Sequence, residues 1–412
     1  MAPRRAGRRL AGAAALLLGC TLALAAASAP ARGLSWENHG EGWCSGAAEP
    51  GPIIGRLRGI LGRIRHAFPR RGELYIREVA WREPAPEEEP PEDAAAAVAG
   101  TWVLQQVGSR EELARLTPEI IEPALAIPGV RGLSLRVPWS AIDEDFDLLE
   151  DGLQIVRDRD LAFSVRFMAG RHTPVRVFDQ GARFYLVGQP PVIKVPAPFT
   201  EDGGPNEAFE AEYAATVERL AEWCRANGVR LLHLPWYGQD WAELNHSRQV
   251  RSLPGYSYEA WLAAHKRLLD IGLAHADEWL AVEFPFSGHG PLTEAAAELA
   301  DYVVAQIGPA SPRFFCQANG WNPEGEWGAP NADTEAAFAR VWERPLFRGL
   351  QAIQPAAYDW HRMYERAHAV RATFVEVYAA SFTLERREEL AEAVARFAAH
   401  VEEAVPLPPG GE

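Results

Sequence analysis

The 412-residue chain is poor in cysteine and short of positive charge, and each shortage narrows what it does. Its four cysteines are Cys20, inside an apolar N-terminal run, and then Cys44, Cys224 and Cys316. The last three are an odd set with no Cys-x-x-Cys spacing, which suggests neither a disulfide framework nor a zinc site. Lys plus Arg total 41 against 56 Asp plus Glu, a formal net charge of −15 with a pI near 5.3. With no basic excess to neutralise phosphates, nucleic acid is not an expected partner. No cofactor is expected either. What the chain has in quantity is tryptophan, 14 in all.

The N-terminus reads as an export signal. Arg4, Arg5, Arg8 and Arg9 form a positive region, residues 10–27 are apolar without a charge, and small residues follow at 25–31. A membrane anchor is the alternative, since the run approaches the roughly 18 residues that span a bilayer. Leu17-Leu18-Gly19-Cys20 opens a third route, acylation of Cys20 as a lipoprotein. Residues 32–99 form an extension of different character. Ile53, Leu57, Ile60, Leu61, Ile64 and Phe68 share one helical face, and Arg56, Arg58, Arg63 and Arg65 fall mostly on another. Such a helix over 53–68 either lies on a membrane surface or packs against the following domain. A strand at 73–81 and an acidic, Pro-rich linker at 83–94 complete the extension.

From Gly100 to residue 404 the chain alternates strand and helix, with a flexible tail at 405–412. Strands are expected at 102–107, 133–137, 161–167, 231–235, 280–284, 314–318, 350–354 and 373–378. Helical patterns separate them, for example at 109–125, 207–226 (stopped by Asn227-Gly228), 258–275, 293–307 and 383–401. Eight such units predict an α/β fold, a (β/α)8 TIM barrel behind an N-terminal helical and extended segment.

Strand parity supports the barrel over a doubly wound sheet. At 133–137 Leu133, Leu135 and Val137 share one face while Ser134 and Arg136 share the other, and 161–167 repeats the division with Ser164 and Arg166. One face must cover the helices, and the other fills the lumen. The polar residues near the carboxyl ends would then point inward together. That layer is Arg136, Arg166, His233, Glu283, Gln317 and Glu376, with Tyr378 and Asn319 near the top. Gln354 joins them if strand seven has the matching parity. Active sites of TIM barrels lie at this end, and two carboxylates, two arginines and a histidine in one layer favour function over inert core.

Trp139, Trp236, Trp241, Trp321, Trp327 and Trp360 all fall at or just past expected strand ends. A Trp rim around a polar bowl suits a glycan, whose C–H faces pack on rings while its hydroxyls find hydrogen bonds. Trp43, Trp223, Trp261, Trp279 and Trp342 lie elsewhere and are assigned to structure. The segment from His172 to Asn206, with Arg176, Arg183 and Tyr185, is long enough to be a wall or lid.

The segment VRGLSLRVPWSAI at 130–142, with the acidic run and FDLL at 146–149 that follow, resembles the second βα unit of clan A glycoside hydrolases, especially the β-galactosidase-like branch. The similarity continues through 161–170 and 231–245, and the eight-unit layout spans 100–404. The resemblance implies a retaining hydrolase with an acid/base Glu after strand four and a nucleophilic Glu on strand seven. Glu243 is the candidate acid/base, with Asp240 second, although the Asn-Glu pair of the family is absent. Strand seven, read as 350–354, carries no carboxylate, and the nearest is Asp359. Glu376 and Glu283 are the inward carboxylates that could act in its place. The substrate-binding candidates are Arg136, Trp139, Arg166, His233, Trp236, Trp241, Gln317, Asn319, Trp321, Gln354 and Tyr378. Two other readings stay open: a glycan-binding barrel without catalysis, and a sugar-isomerase type in which His233, Glu283 and Glu376 ligate a divalent ion.

Overall fold

A computed structural model describes residues 94–403, apart from 189–191, 240–241, 287, 290–291, 322–331 and 354. The expectations for the export signal, Cys20, the 53–68 helix, the strand at 73–81, nearly all of the linker and the tail at 405–412 lie outside the described residues. So do Asp240, Trp241, Trp327 and Gln354.

Eight parallel strands close into a barrel. They are β1 (Gly100–Gln106), β2 (Val130–Pro138), β3 (Ala162–Met168), β4 (Leu231–His233), β5 (Ala281–Pro285), β6 (Phe314–Trp321), β7 (Phe347–Ala352) and β8 (Phe374–Tyr378). Each pairs with its neighbours in sequence, and β8 closes on β1. A helix follows each strand. α1 runs from Arg110–Leu116 through a π-helical stretch at Thr117–Ile121 to Glu122–Leu125. The others are α2 (Asp147–Arg157), α3 (Glu207–Ala226), α4 (Tyr258–His275), α5 (Thr293–Ile307), α6 (Ala332–Trp342), α7 (Trp360–Ala369) and α8 (Arg387–Glu403). The (β/α)8 barrel expected from parity is the fold observed.

Local chemistry sets several boundaries. Ser109, Ser257 and Asp359 cap α1, α4 and α7 by accepting from the backbone N–H three residues on. Asp359 is therefore a helix cap and not a bowl carboxylate. α3 ends where expected, with Gly228 at φ +73°. α8 starts later than the pattern suggested, because Ala379–Thr383 form a 3-10 turn first.

Strand seven differs most. It begins at Phe347 and not at Leu350, so its inward residues are Phe347, Gly349 and Gln351. Arg348 on the outward face disguised its start: the guanidinium donates to the carbonyls of Trp342 and Val370, at the ends of α6 and α7.

The outward strand faces, among them Val103, Leu135, Val165, Leu232, Val282, Leu350 and Val375, are fully buried under the helices. The amino-terminal end of the lumen is filled separately by Trp102, Leu231, Ala281, Phe315, Phe347 and Phe374, with Ala95 and Val98 of the short helix Ala94–Val98 packed on them. Gly349 is required here, because a Cβ on it would lie 2.1 Å from the Phe374 ring. Fully burying each such side chain contributes about 1.5–3 kcal/mol. The apolar plug leaves only the carboxyl end of the lumen for polar groups.

Candidate active site

Register assembles the polar layer. Strand pairing sets Arg136 beside Arg166, Arg166 beside His233, and His233 beside Glu283. Around the other side of the ring, Asn319 pairs with Gln351 and Gln351 with Glu376. Because these positions share the inward parity, seven strands, β2 to β8, from distant parts of the chain deliver their polar side chains into one volume.

Arg166 is the hub, and it is 0 % exposed. Its Nη2 donates to Glu376 Oε2 at 2.9 Å and to Gln317 Oε1, and lies 3.2 Å from Glu283 Oε2 and 2.8 Å from His233 Nδ1. Glu376 also accepts from Gln317 Nε2 at 2.6 Å and from the Ser134 hydroxyl. His233 Nδ1 lies 2.7 Å from Glu283 Oε2, and its Nε2 is 3.3 Å from Ser164 Oγ. Both glutamates are fully buried. Removing ions from water costs several kcal/mol apiece, and only close pairing with full hydrogen bonding offsets that.

The electrostatics follow from this crowding. Burial alone would push the Glu376 carboxyl up. The Arg166 charge, then His233 and the bonds from Ser134 and Gln317, outweigh burial and hold the group down at about 2. Burial likewise opposes the Arg166 charge, but Glu376, Glu283 and more distant Glu243 overcome it and raise its pKa. Glu376 is thus ionised at neutral pH, with both oxygens engaged.

Not every atom of the layer is engaged. Arg166 Nε and Nη1, Glu283 Oε1, Arg136 Nε and Asn319 Oδ1 are buried and have no hydrogen-bond partner among the described residues. Buried polar atoms are rarely left so. Unpartnered donors and acceptors in one buried layer are what ordered water or a polar ligand would satisfy.

Above the hub lies a second tier. Arg136 donates to Tyr378 OH at 3.2 Å and to Gln351 Oε1, with its guanidinium 5.9 Å from the Tyr378 ring centre. Asn319 Nδ2 donates to Glu243 Oε1 at 2.7 Å. Asn319 stands two residues past Gln317 on β6, about 6–7 Å along the strand. Glu243 therefore sits roughly one tier above Glu376. Unlike Glu283 and Glu376, it is only half-buried.

The segment that carries Glu243 is tied down on all sides. Trp236 N–H donates to Ala242 O at 3.0 Å, and the Trp236 indole donates to Pro285 O at 2.7 Å. Leu244–Asn245 pairs in parallel with Gly288–His289. The Trp261 indole donates to Asn245 O at 2.9 Å, and the Asn245 side chain donates to Tyr185 OH at 3.0 Å. From β3, Gly170 (φ +60°) approaches so near that a Cβ would lie 2.6 Å from Gln239 O, and Arg171 N–H donates to that carbonyl. Tyr185 belongs to an antiparallel hairpin, Phe184–Val187 with Ile193–Pro196, inside the stretch read as a wall. Arg176 of that stretch pairs with Asp143 and Glu212, and Arg183 donates to Phe199 O and Pro254 O.

The structure thus brings together Arg136, Arg166, His233, Glu283, Gln317, Asn319, Glu376, Tyr378 and Glu243. It does not bring the tryptophans with them. Trp139, Trp236 and Trp321, expected on the rim, are each 0 % exposed, as is Trp360. Trp139 packs edge-on against Phe167, Phe209 and Tyr213, and Trp236 lies against Phe284 and Phe286. Trp321 donates to Met363 O at 3.3 Å under the Arg366 guanidinium. These indoles pack beneath the loops and fasten them to the helices, because an aromatic ring at a strand end gains more from the layer between strand and helix than from an open mouth.

Gln351 is the polar residue that β7 contributes between Phe347 and Ala352, and the misplaced strand start hid it. Its signal was Phe347-Arg-Gly-Leu-Gln351, in which Phe347, Gly349 and Gln351 share a parity. His233, Glu283 and Glu376 do not frame a cation site, since the Arg166 guanidinium stands among them. Among the described residues no three His, Cys, Asp or Glu side chains converge to hold a metal.

No family model and no curated protein sequence matches the chain. Among solved structures it is similar to the catalytic domain of β-amylase from Paenibacillus polymyxa, at 11 % identity over 73 % of this chain and 99 % of that one, TM-score 0.47. It is also similar to L-ribulose 3-epimerase, at 11 % identity over 74 % of this chain and 94 % of that one, TM-score 0.42. D-psicose 3-epimerase matches at 8 % identity over 74 % and 99 %, TM-score 0.41.

Proposed function

We propose that the protein is an exported glycoside hydrolase in which Glu243 donates the proton to the leaving-group oxygen. One observation carries this reading. Glu243 is the carboxylate of the cluster that reaches the mouth, it is held by Asn319 at 2.7 Å, and it stands over a layer of ionised groups. A general acid on a fastened segment, above buried negative charge, suits an oxocarbenium-like transition state. Glu283 is the second carboxylate of the pair. Its Oε1 has no hydrogen-bond partner among the described residues, so it can take a water or the anomeric carbon, whereas both oxygens of Glu376 are engaged, Oε2 by Arg166 and Gln317 and Oε1 by Ser134. Export rests on the charged and apolar pattern of residues 1–31, and Cys20 or the 53–68 helix would supply a membrane contact.

Gln351 favours a second reading. The inward residue near the end of β7 is neutral where the clan A resemblance calls for a nucleophilic Glu, which suits a barrel that binds glycan without cleaving it. Turnover of aryl glycosides and polysaccharides, measured beside calorimetric binding, separates the two. Glu243→Gln should lose about 10²–10⁴-fold in kcat if Glu243 is the acid, with binding retained. Equal turnover in wild type and Glu243→Gln would sink the assignment, and binding without turnover in wild type would favour the second reading.

A further inference from the structure

We propose that Arg136 is an anion subsite, and that the sugar this barrel takes carries an acidic group, a carboxylate or a sulfate or phosphate ester. The substrate class rests on the carbohydrate reading above; the anion subsite does not. Arg136 is 4 % exposed, yet every partner of its guanidinium is neutral: Tyr378 OH, Gln351 Oε1 and the Tyr378 ring. Its Nε has no partner among the described residues.

The other buried arginines show what is missing. Arg166 lies between two glutamates. Arg348, 5 % exposed, ends on carbonyls at the carboxyl ends of α6 and α7, where the helix dipole is negative. Arg136 has neither, and its strand neighbour is another cation, Arg166. The carboxylates nearby lie against other groups: Glu283 and Glu376 contact Arg166 through Oε2, and Glu243 accepts from Asn319. A buried cation without a counter-charge is costly unless a ligand supplies one. Nε–H and the adjacent Nη–H form the fork that grips planar carboxylates and tetrahedral oxyanions. Arg136 stands near the end of β2 beside half-buried Tyr378, so the fork is at the mouth, where a ring substituent would arrive.

The test uses the full-length protein and matched ligands: galacturonate against galactose oligosaccharides, galactose 6-sulfate, and free acetate, phosphate and sulfate. Calorimetry should give the acidic sugars affinities on the order of tenfold or more above the neutral ones, the size of a charge-assisted hydrogen bond. Whether uronate or ester binds more tightly identifies the group. Arg136→Gln should erase the preference, so that acidic and neutral sugars bind it with equal affinity. Gln351→Glu, which fills the fork from within, should erase it too and raise the Tm; it serves if Arg136→Gln does not fold. Equal affinity of wild type for acidic and neutral sugars, or a preference that survives both substitutions, overturns the proposal. If no sugar binds, the carbohydrate reading fails. The subsite then stands only if the free anions raise the Tm of wild type and not of Gln351→Glu, and it falls if they raise neither.

Discussion

The two ends of the lumen are built from the same eight strands and bury their side chains by opposite means. At the amino end Trp102, Phe315, Phe347 and Phe374 fill space, and Gly349 is absent of side chain so that one ring fits. At the carboxyl end, inward positions further along the strands carry Ser134, Arg166, His233, Glu283, Gln317 and Glu376. The lower end depends on volume and is indifferent to protons. The upper end depends on charge pairing, so it is sensitive to any change that leaves one partner alone. Function can reside only in the second kind, because only there do groups remain that a ligand could satisfy.

Arg166→Met tests this difference most severely. It leaves Glu283 and Glu376 buried without a counter-ion, and losing one partner of such a network costs about 3–5 kcal/mol. Urea denaturation at neutral pH should show that loss. Replacing Arg166, Glu283 and Glu376 together by apolar residues should restore much of it, since a volume without charge resembles the lower end. If Arg166→Met matched wild type, the upper layer would not be held by charge.

Proton titration makes a somewhat smaller change. The Glu376 carboxyl is held at about 2, against an ordinary value of 4.5. A depressed carboxylate contributes its stability fully above the unfolded value and loses it as pH falls toward the folded one. Wild type should therefore lose about 3 kcal/mol between pH 4.5 and 2. Glu376→Gln should lack that component of the pH dependence, though it is less stable at neutral pH. Denaturation curves of both proteins at several acidic pH values would decide it, and parallel profiles would show that Glu376 is not the titrating group.

How much of this contrast was legible in the sequence depends on the range of the interactions involved. Strand parity is local, so the barrel and the inward positions of Arg136, Arg166, His233, Glu283, Gln317 and Glu376 could be read directly. At β7 the local signal misled, because Arg348 faces outward to reach carbonyls of two helices that the sequence does not show to be near. The tryptophans are the clearest limit. Whether Trp139 faces the bowl or packs beneath the loop depends on Phe209 and Tyr213 of α3, about 70 residues on in the chain, and no pattern around Trp139 encodes them. Likewise, a Glu after strand four is visible in sequence, but Asn319 as the group that orients Glu243 is visible only once β6 stands opposite.

The lower end supplies the mildest and most discriminating measurement. Phe347 is buried in the plug with its ring 5.5 Å from that of Phe315, and no titratable group is among its cluster. Phe347→Leu removes part of a ring without adding polarity, so it should cost about 1–2 kcal/mol. That cost should be the same at pH 7 and pH 3, because the side chains clustered around its ring are apolar. Turnover or ligand affinity should also be unaltered, since the polar layer lies on the far side of Phe374 and Gly349. A cost that grew on acidification would mean that the plug and the charged layer titrate as one unit, and the division of the lumen into a volume-filled end and a charge-paired end would fail.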